Sequence, residues 1–274
     1  MKKELIALAL VSAFAAPAFS EDQAIQDQPI HSFSANVGVV SDYILRGISQ
    51  SQHKPALQGG VDYAHVSGLY AGIWGSTVEW VDRKDYVYQD GNQVELDFYG
   101  GYKGSIGDFA YDVGLVRYYY PGDFNNAPAG KTQNPVTANT TEAYIAGTWK
   151  FVTLKYNRAV SKNFVGWGGT TIDTRSRGSD YIDLTVTYPI SETVNLLAHV
   201  GHQNVKNNSY ANYTDWKLGA TKDFGFAIVG LAYTDTNARY KSGLVNNADY
   251  ESAYNWSGKD VSKGVVTVSL LKNF

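Results

Sequence analysis

From about residue 32 to the C-terminus, apolar residues recur at every second position, the spacing of strands whose two faces meet different surroundings. The clearest run is 94–103. Val94, Leu96, Phe98, Gly100 and Tyr102 share one face; Glu95, Asp97, Tyr99, Gly101 and Lys103 share the other. The same alternation marks 57–64, 152–157, 181–188, 194–201 and 214–222, with Leu197 breaking it once. Less regular strands are predicted near 32–45, 69–79, 108–119, 142–149, 226–236 and 262–274. In 69–79 and 226–236 both faces are apolar or small, so the pattern assigns neither. The sum is about twelve strands of roughly 8–13 residues, long enough to cross a bilayer when tilted.

The connections alternate in length. Long ones fall near 46–54, 80–92, 120–141, 161–179, 204–212 and 237–261; short ones near 66–68, 104–107, 150–151, 189–193 and 222–225. This is the layout of a transmembrane antiparallel up-and-down β-barrel, with short periplasmic turns, long extracellular loops and both termini periplasmic. A soluble β-sandwich also alternates, but it gives no reason for the regular change of loop length. Aromatics near the predicted strand ends (Tyr63, Tyr70, Trp80, Tyr102, Tyr118 to Tyr120, Trp149, Tyr188) fit interface girdles. The last strand closes on Phe274, in phase with Val266, Val268 and Leu270, which fits a C-terminal signal for barrel-assembly machinery.

The first twenty residues read differently. Lys2 and Lys3 precede an apolar stretch from Leu5 to Phe14 and a small-residue region ending Ala18-Phe19-Ser20. That order is a secretory signal peptide, and its apolar stretch is too short to span a bilayer. The expected organisation is a signal peptide at 1–20, a flexible periplasmic lead-in at 21–31 and a barrel at 32–274, in the outer membrane of a Gram-negative bacterium. With 274 residues, no cysteine and a formal charge of −3, the chain offers no disulfide scaffold or thiolate site. Its near-neutral balance argues against nucleic acid as a partner.

The segment Ser41 to Gly60, SDYILRGISQSQHKPALQGG, precedes Val61-Asp62-Tyr63, Gly68-Leu69-Tyr70-Ala71-Gly72 and the Trp74-Gly75 pair. Further along stand Glu95-Leu96-Asp97-Phe98-Tyr99-Gly100-Gly101-Tyr102 and Tyr111-Asp112-Val113-Gly114. These elements resemble the TorF family of porin-like proteins, the Gcw_chp group of proteobacterial outer-membrane proteins. The resemblance covers nearly the whole chain after the leader, and the first hairpin is its specific part. It implies an outer-membrane β-barrel with a pore function; diffusion through a polar lumen calls for no cofactor.

No constellation of catalytic type stands out. His199 and His202 are the only close histidine pair, and residues three apart on a strand face opposite ways. Neither Gly-x-Ser-x-Gly nor a phosphate loop is present. By parity the lumen-facing candidates are Asp42, Asp62, Glu95, Asp97, Lys103, Asp112, Lys155, Asp183, His199, Asp215 and Lys217. Such groups either line a water-filled channel or pair up in a plugged lumen. All seven arginines fall at or beyond the extracellular strand ends, so Arg46, Arg117 and Arg158 are expected either to ring the outer mouth or to meet lipopolysaccharide phosphates or loop acids such as Asp82, Asp85 and Asp173. The expected function is passive diffusion of small hydrophilic solutes with weak cation preference. The alternatives are a closed-lumen structural or interaction barrel acting through its loops, and an outer-membrane lipid hydrolase using His199.

Overall fold

The computed structural model describes residues 29–81, 93–122, 137–167, 175–238, 244–245, 248–249, 254–256 and 258–274. Twelve antiparallel strands form a closed barrel: β1 His31–Val40, β2 Ala56–His65, β3 Leu69–Thr77, β4 Val94–Ile106, β5 Phe109–Tyr119, β6 Thr140–Trp149, β7 Val152–Ala159, β8 Asp180–Pro189, β9 Val194–Asn204, β10 Tyr213–Asp223, β11 Ile228–Thr236 and β12 Val265–Asn273. Each strand pairs with its sequence neighbours, and β12 returns to β1 in the register Val39↔Leu270 and Val37↔Lys272. Phe274 extends that seam, since its N–H donates to the Ala35 carbonyl at 2.8 Å. Closure leaves no open sheet edge, which a sheet standing in lipid requires.

Polarity is inverted relative to a water-soluble protein. Phe33, Val37, Leu57, Val61, Ile73, Leu115, Ile145, Leu154, Leu218, Leu231 and Val268 all project outward and are exposed. Their strand neighbours project inward and are polar, small or tyrosine, save Trp74 and Val116, which join the apolar cluster at the long-loop end. A soluble β-sandwich buries its apolar faces, so this distribution excludes one. A ten-residue strand rising about 3.3 Å per residue and tilted about 45° covers roughly 24 Å, the height of a barrel's apolar band. At the short-turn end Tyr102, Phe109, Trp149, Phe151, Tyr188, Phe224 and Phe226 are exposed and form an aromatic girdle.

Both ends of the barrel chain lie at the short-turn end. Turns such as 66–68 and 107–108 are tight. At Gly68 the backbone takes φ +95°, and a side chain there would strike the Lys103 carbonyl.

Two expectations need correction. The first strand ends at Val40 rather than 45, because the chain turns into the barrel at Ser41-Asp42 and pairs Ile44–Leu45 with Ile48–Ser49 in a hairpin of its own. Tyr70 is no girdle aromatic, since it faces the lumen and donates to Asp112, and neither are Trp80, Tyr118 and Tyr120. The last three are buried inside, in an apolar cluster with Tyr43, Phe164, Tyr254 and Trp256. The hydrophobic core therefore sits within the barrel at its long-loop end.

Candidate functional site

A folded-in segment fills the long-loop end of the lumen. In residues 41–55, Asp42 gathers the turn: Ser49 Oγ and Ser51 Oγ donate to its Oδ1 at 2.5 and 2.9 Å, and His53 Nδ1 lies 2.7 Å from Oδ2. His53 Nε2 lies 2.7 Å from the Asp260 carbonyl, and the Ser49 N–H donates to the Val261 carbonyl, so this segment is tied to the final loop. At the hairpin tip Arg46 (φ +50°) and Gly47 (φ +78°) both occupy the left-handed region, the geometry of a two-residue type I′ turn. Gly47 is required twice over. Its φ suits glycine, and a Cβ there would sit 2.5 Å from Asp215 Cβ on the wall.

That tip aims Arg46 into the barrel. Its guanidinium meets Glu142 bidentately, Nη1 to Oε1 at 3.0 Å and Nη2 to Oε2 at 2.7 Å. The side chains are 9% and 0% exposed, so the pair is desolvated. Tyr181 offers its ring face 4.5 Å from the guanidinium carbon, and Phe164 lies 5.8 Å away. Burial opposes the Arg46 charge, but the charge and hydrogen bonds of Glu142, together with Tyr118 and Tyr181, outweigh it and hold the guanidinium well above its usual pKa. Beside the tip Tyr43 Oη donates to Glu95 Oε1 at 2.8 Å. Burial, then the carboxylates of Glu95 and Asp97, push that phenol well up.

Beneath this insert the inner wall is polar. Glu95, Asp97 and Glu142 are fully buried, and both Asp97 carboxylate oxygens lack a hydrogen-bond partner. Towards the short turns Asp62 accepts from Tyr99, and Asp112 accepts from Tyr70 at 2.6 Å. Lys103 stands 5.3 Å from the Tyr70 ring, and Lys155 stands 4.2 Å from that of Tyr144. On the opposing wall His199 Nε2 lies 3.0 Å from Asp215, its Nδ1 lies 2.9 Å from Thr185 Oγ1, and Asp183 is 3.9 Å away. Lys217 lines a cavity with Asp42, Ile44 and Thr234. The structure thus places Asp62, Glu95, Asp97, Lys103, Asp112, Lys155, Asp183, His199, Asp215 and Lys217 on the inner wall. Asp42 lies past the end of β1 and organises the insert.

Several of the inward tyrosines lie flat over glycines of the next strand. Tyr99 covers Gly72 and Tyr144 covers Gly114, so a Cβ at either glycine would meet the ring.

The arginines do not form a ring. Arg46 dives inward to Glu142, whereas Arg117 and Arg158 share the outward parity of Leu115 and Leu154 and stand on the outer surface. Sequence reasoning also missed Glu142 and Tyr181. The signal was present in β6, where Thr140, Glu142, Tyr144 and Ala146 alternate with Thr141, Ala143, Ile145 and Gly147.

A family model described as a bacterial protein of unknown function, Gcw_chp, matches residues 24–268. The chain belongs to the Gcw_chp family. Among solved structures this Gcw_chp chain is similar to a KdgM porin in complex with disordered oligogalacturonate, at TM-score 0.50 and 5% identity over 88% of this chain and 98% of that one. It is also similar to the NanC porin, at TM-score 0.48 and 12% identity over 89% and 99%. A third is the COG4313 outer membrane channel from Pseudomonas putida F1, at TM-score 0.44 and 10% identity over 94% and 100%. At such identities the likeness is one of fold. No curated protein matches the chain.

Proposed function

We propose that this barrel is an outer-membrane channel for small hydrophilic solutes, closed at rest by residues 41–55. One observation carries the reading: a polar, ionisable inner wall runs beneath an insert whose tip is held to the wall by the Arg46–Glu142 pair. A wall meant only to be packed has no need of Lys103, Asp112, Lys155, Asp183 and His199 facing one interior, since burying such charges is costly. Solute passes by diffusion once the insert withdraws. The wall holds more acids than lysines, so the lumen weakly prefers cations.

The placement completes the proposal. Residues 1–20 export the chain, 21–31 lead into the barrel, and the short turns and both termini face the periplasm of a Gram-negative cell. Phe274, exposed at the end of β12, is the residue offered to the assembly machinery.

A closed-lumen interaction barrel is the second reading, favoured by the aromatic packing of Tyr43, Trp80, Phe164 and Trp256 at the long-loop end. The lipid-hydrolase alternative needs a seryl nucleophile at His199. Among the described residues the ring nitrogens meet Tyr181, Asp215 and Thr185 instead. Planar-bilayer recording of wild type and Glu142→Gln separates these readings. Discrete conductance steps, more frequent in the variant, support the channel. Silence from both, in barrels that show heat-modifiable gel migration, removes it. Lipid hydrolysis lost in His199→Ala would establish the enzyme instead.

A further inference from the structure

The outer surface at the long-loop rim carries an arrangement that the lumen reading does not use. Arg117 stands two residues above Leu115 on the outward face of β5, and Arg158 stands four above Leu154 on β7; both leucines are exposed. The two cations therefore sit just above the apolar band. Beside Arg158 is Gly178. A Cβ built on it would lie 3.3 Å from Arg158 Nη2 and 3.6 Å from Lys206 Cδ, so two long cationic side chains converge over one residue that has none. Exposed Lys162 and Arg177 adjoin, linked by the Arg177 N–H to the Lys162 carbonyl at 3.1 Å.

Among the described residues no carboxylate forms an ion pair with these charges, and the loop acid Asp173 lies outside the described residues. Asp180 is directly opposite Arg158 in the β7–β8 register, yet the two form no ion pair; Asp180 accepts from Asn204 Nδ2 at 3.3 Å. Arg158 reaches the Tyr156 hydroxyl at 3.3 Å, and Arg117 donates to Thr141 Oγ1 at 3.0 Å. Elsewhere on the rim Lys54 is paired with Glu79 at 2.8 Å. Guanidinium groups held only by a hydroxyl, with a lysine converging on one of them, suit the multiply accepting oxygens of a phosphate.

We propose that the rim of β5 to β9 binds the phosphate of an outer-leaflet lipopolysaccharide, with acyl chains lying on Leu115, Ile145, Leu154 and Ile182. The apolar wall directly below the cations selects a lipid-borne phosphate over a free one. The inference rests on the outer-membrane placement proposed above, but binding to purified protein can be measured without it. Detergent-solubilised barrel is incubated with phosphorylated lipid A, with its dephosphorylated form or with inorganic phosphate, and retained lipid is quantified after gel filtration. Wild type should retain the phosphorylated form. Arg158→Gln should weaken retention roughly tenfold, and Arg117→Gln/Arg158→Gln roughly a hundredfold, as expected for charge-assisted contacts. Arg158→Lys should restore part of it. Lys222→Gln, on the outer face at the other end of the barrel, should change nothing. Equal retention by wild type and the double variant overturns the site, and so does equal retention of dephosphorylated lipid. Displacement by inorganic phosphate at matched concentration overturns the lipid as its occupant. Heat-modifiable migration verifies that each variant is folded, and cell fractionation tests the membrane placement independently.

Discussion

Releasing the insert should open the barrel, and Glu142→Gln is the most direct way to do it. Arg46 and Glu142 form two charge-assisted bonds of 3.0 and 2.7 Å, and the carboxylate has no exposed surface. Removing one charge strands the other in a dry site, which costs about 3–5 kcal/mol. At about 1.4 kcal/mol per factor of ten, the seated population falls by roughly 10²–10⁴ relative to the released one. Arg46→Met should act similarly from the other side. Arg46→Met/Glu142→Gln should cost less than the two single changes added together, because no charge is left stranded. Two assays read the same equilibrium. In planar bilayers the open fraction rises. In detergent, trypsin cleaves after Arg46 faster in Glu142→Gln, by the same factor while reclosing outpaces cleavage. A variant that keeps its barrel, resists trypsin like wild type and conducts like wild type would refute the idea that this pair holds the insert.

Four further outcomes follow from particular contacts. Gly47→Val places a Cβ against Asp215 in a left-handed backbone, costing about 1–3 kcal/mol of insert seating, which urea titration followed by loop proteolysis measures. Ile145→Lys puts a charge at the middle of the outer face and should destabilise the barrel in vesicles by about 2–4 kcal/mol, read from refolding in urea. Asp112→Asn/Asp183→Asn/Asp215→Asn should shift the reversal potential in a salt gradient towards anions; a wild-type value already favouring anions would contradict the cation preference. Deleting Phe274 should lower the amount of assembled barrel in cells while leaving unassisted refolding of purified chain intact.

The wall was legible in the chain because a strand states its facing every second residue. Val94 to Lys103 and Tyr181 to Tyr188 needed nothing else, and the alternation of turn and loop lengths gave the winding. What fills the wall was not legible. The Ile44–Leu45 hairpin is too short to show a period, and its course is set by Asp42 bonding Ser49, Ser51 and His53, contacts that carry no rhythm. The arginines illustrate a different gap. Their position near the long loops was readable, but direction is a separate fact. The parity of Leu115, Arg117 and Tyr119 points Arg117 outward, while nothing in the sequence sends Arg46 inward. Trp80 and Tyr120 were misplaced for the same reason, since aromatics at strand ends suit a lipid interface and a folded-in loop equally well.

The flat tyrosines over Gly72 and Gly114 have a consequence for calibre. The clear bore of a twelve-stranded tube is usually thought of as fixed by strand number and shear. Here each ring lies in a notch that its neighbour leaves by having no side chain, so the ring's thickness is subtracted from the wall and not from the passage. Putting a methyl at such a notch tips the ring into the passage. The aperture can thus be rescaled by single substitutions at glycine, with the number of staves unchanged.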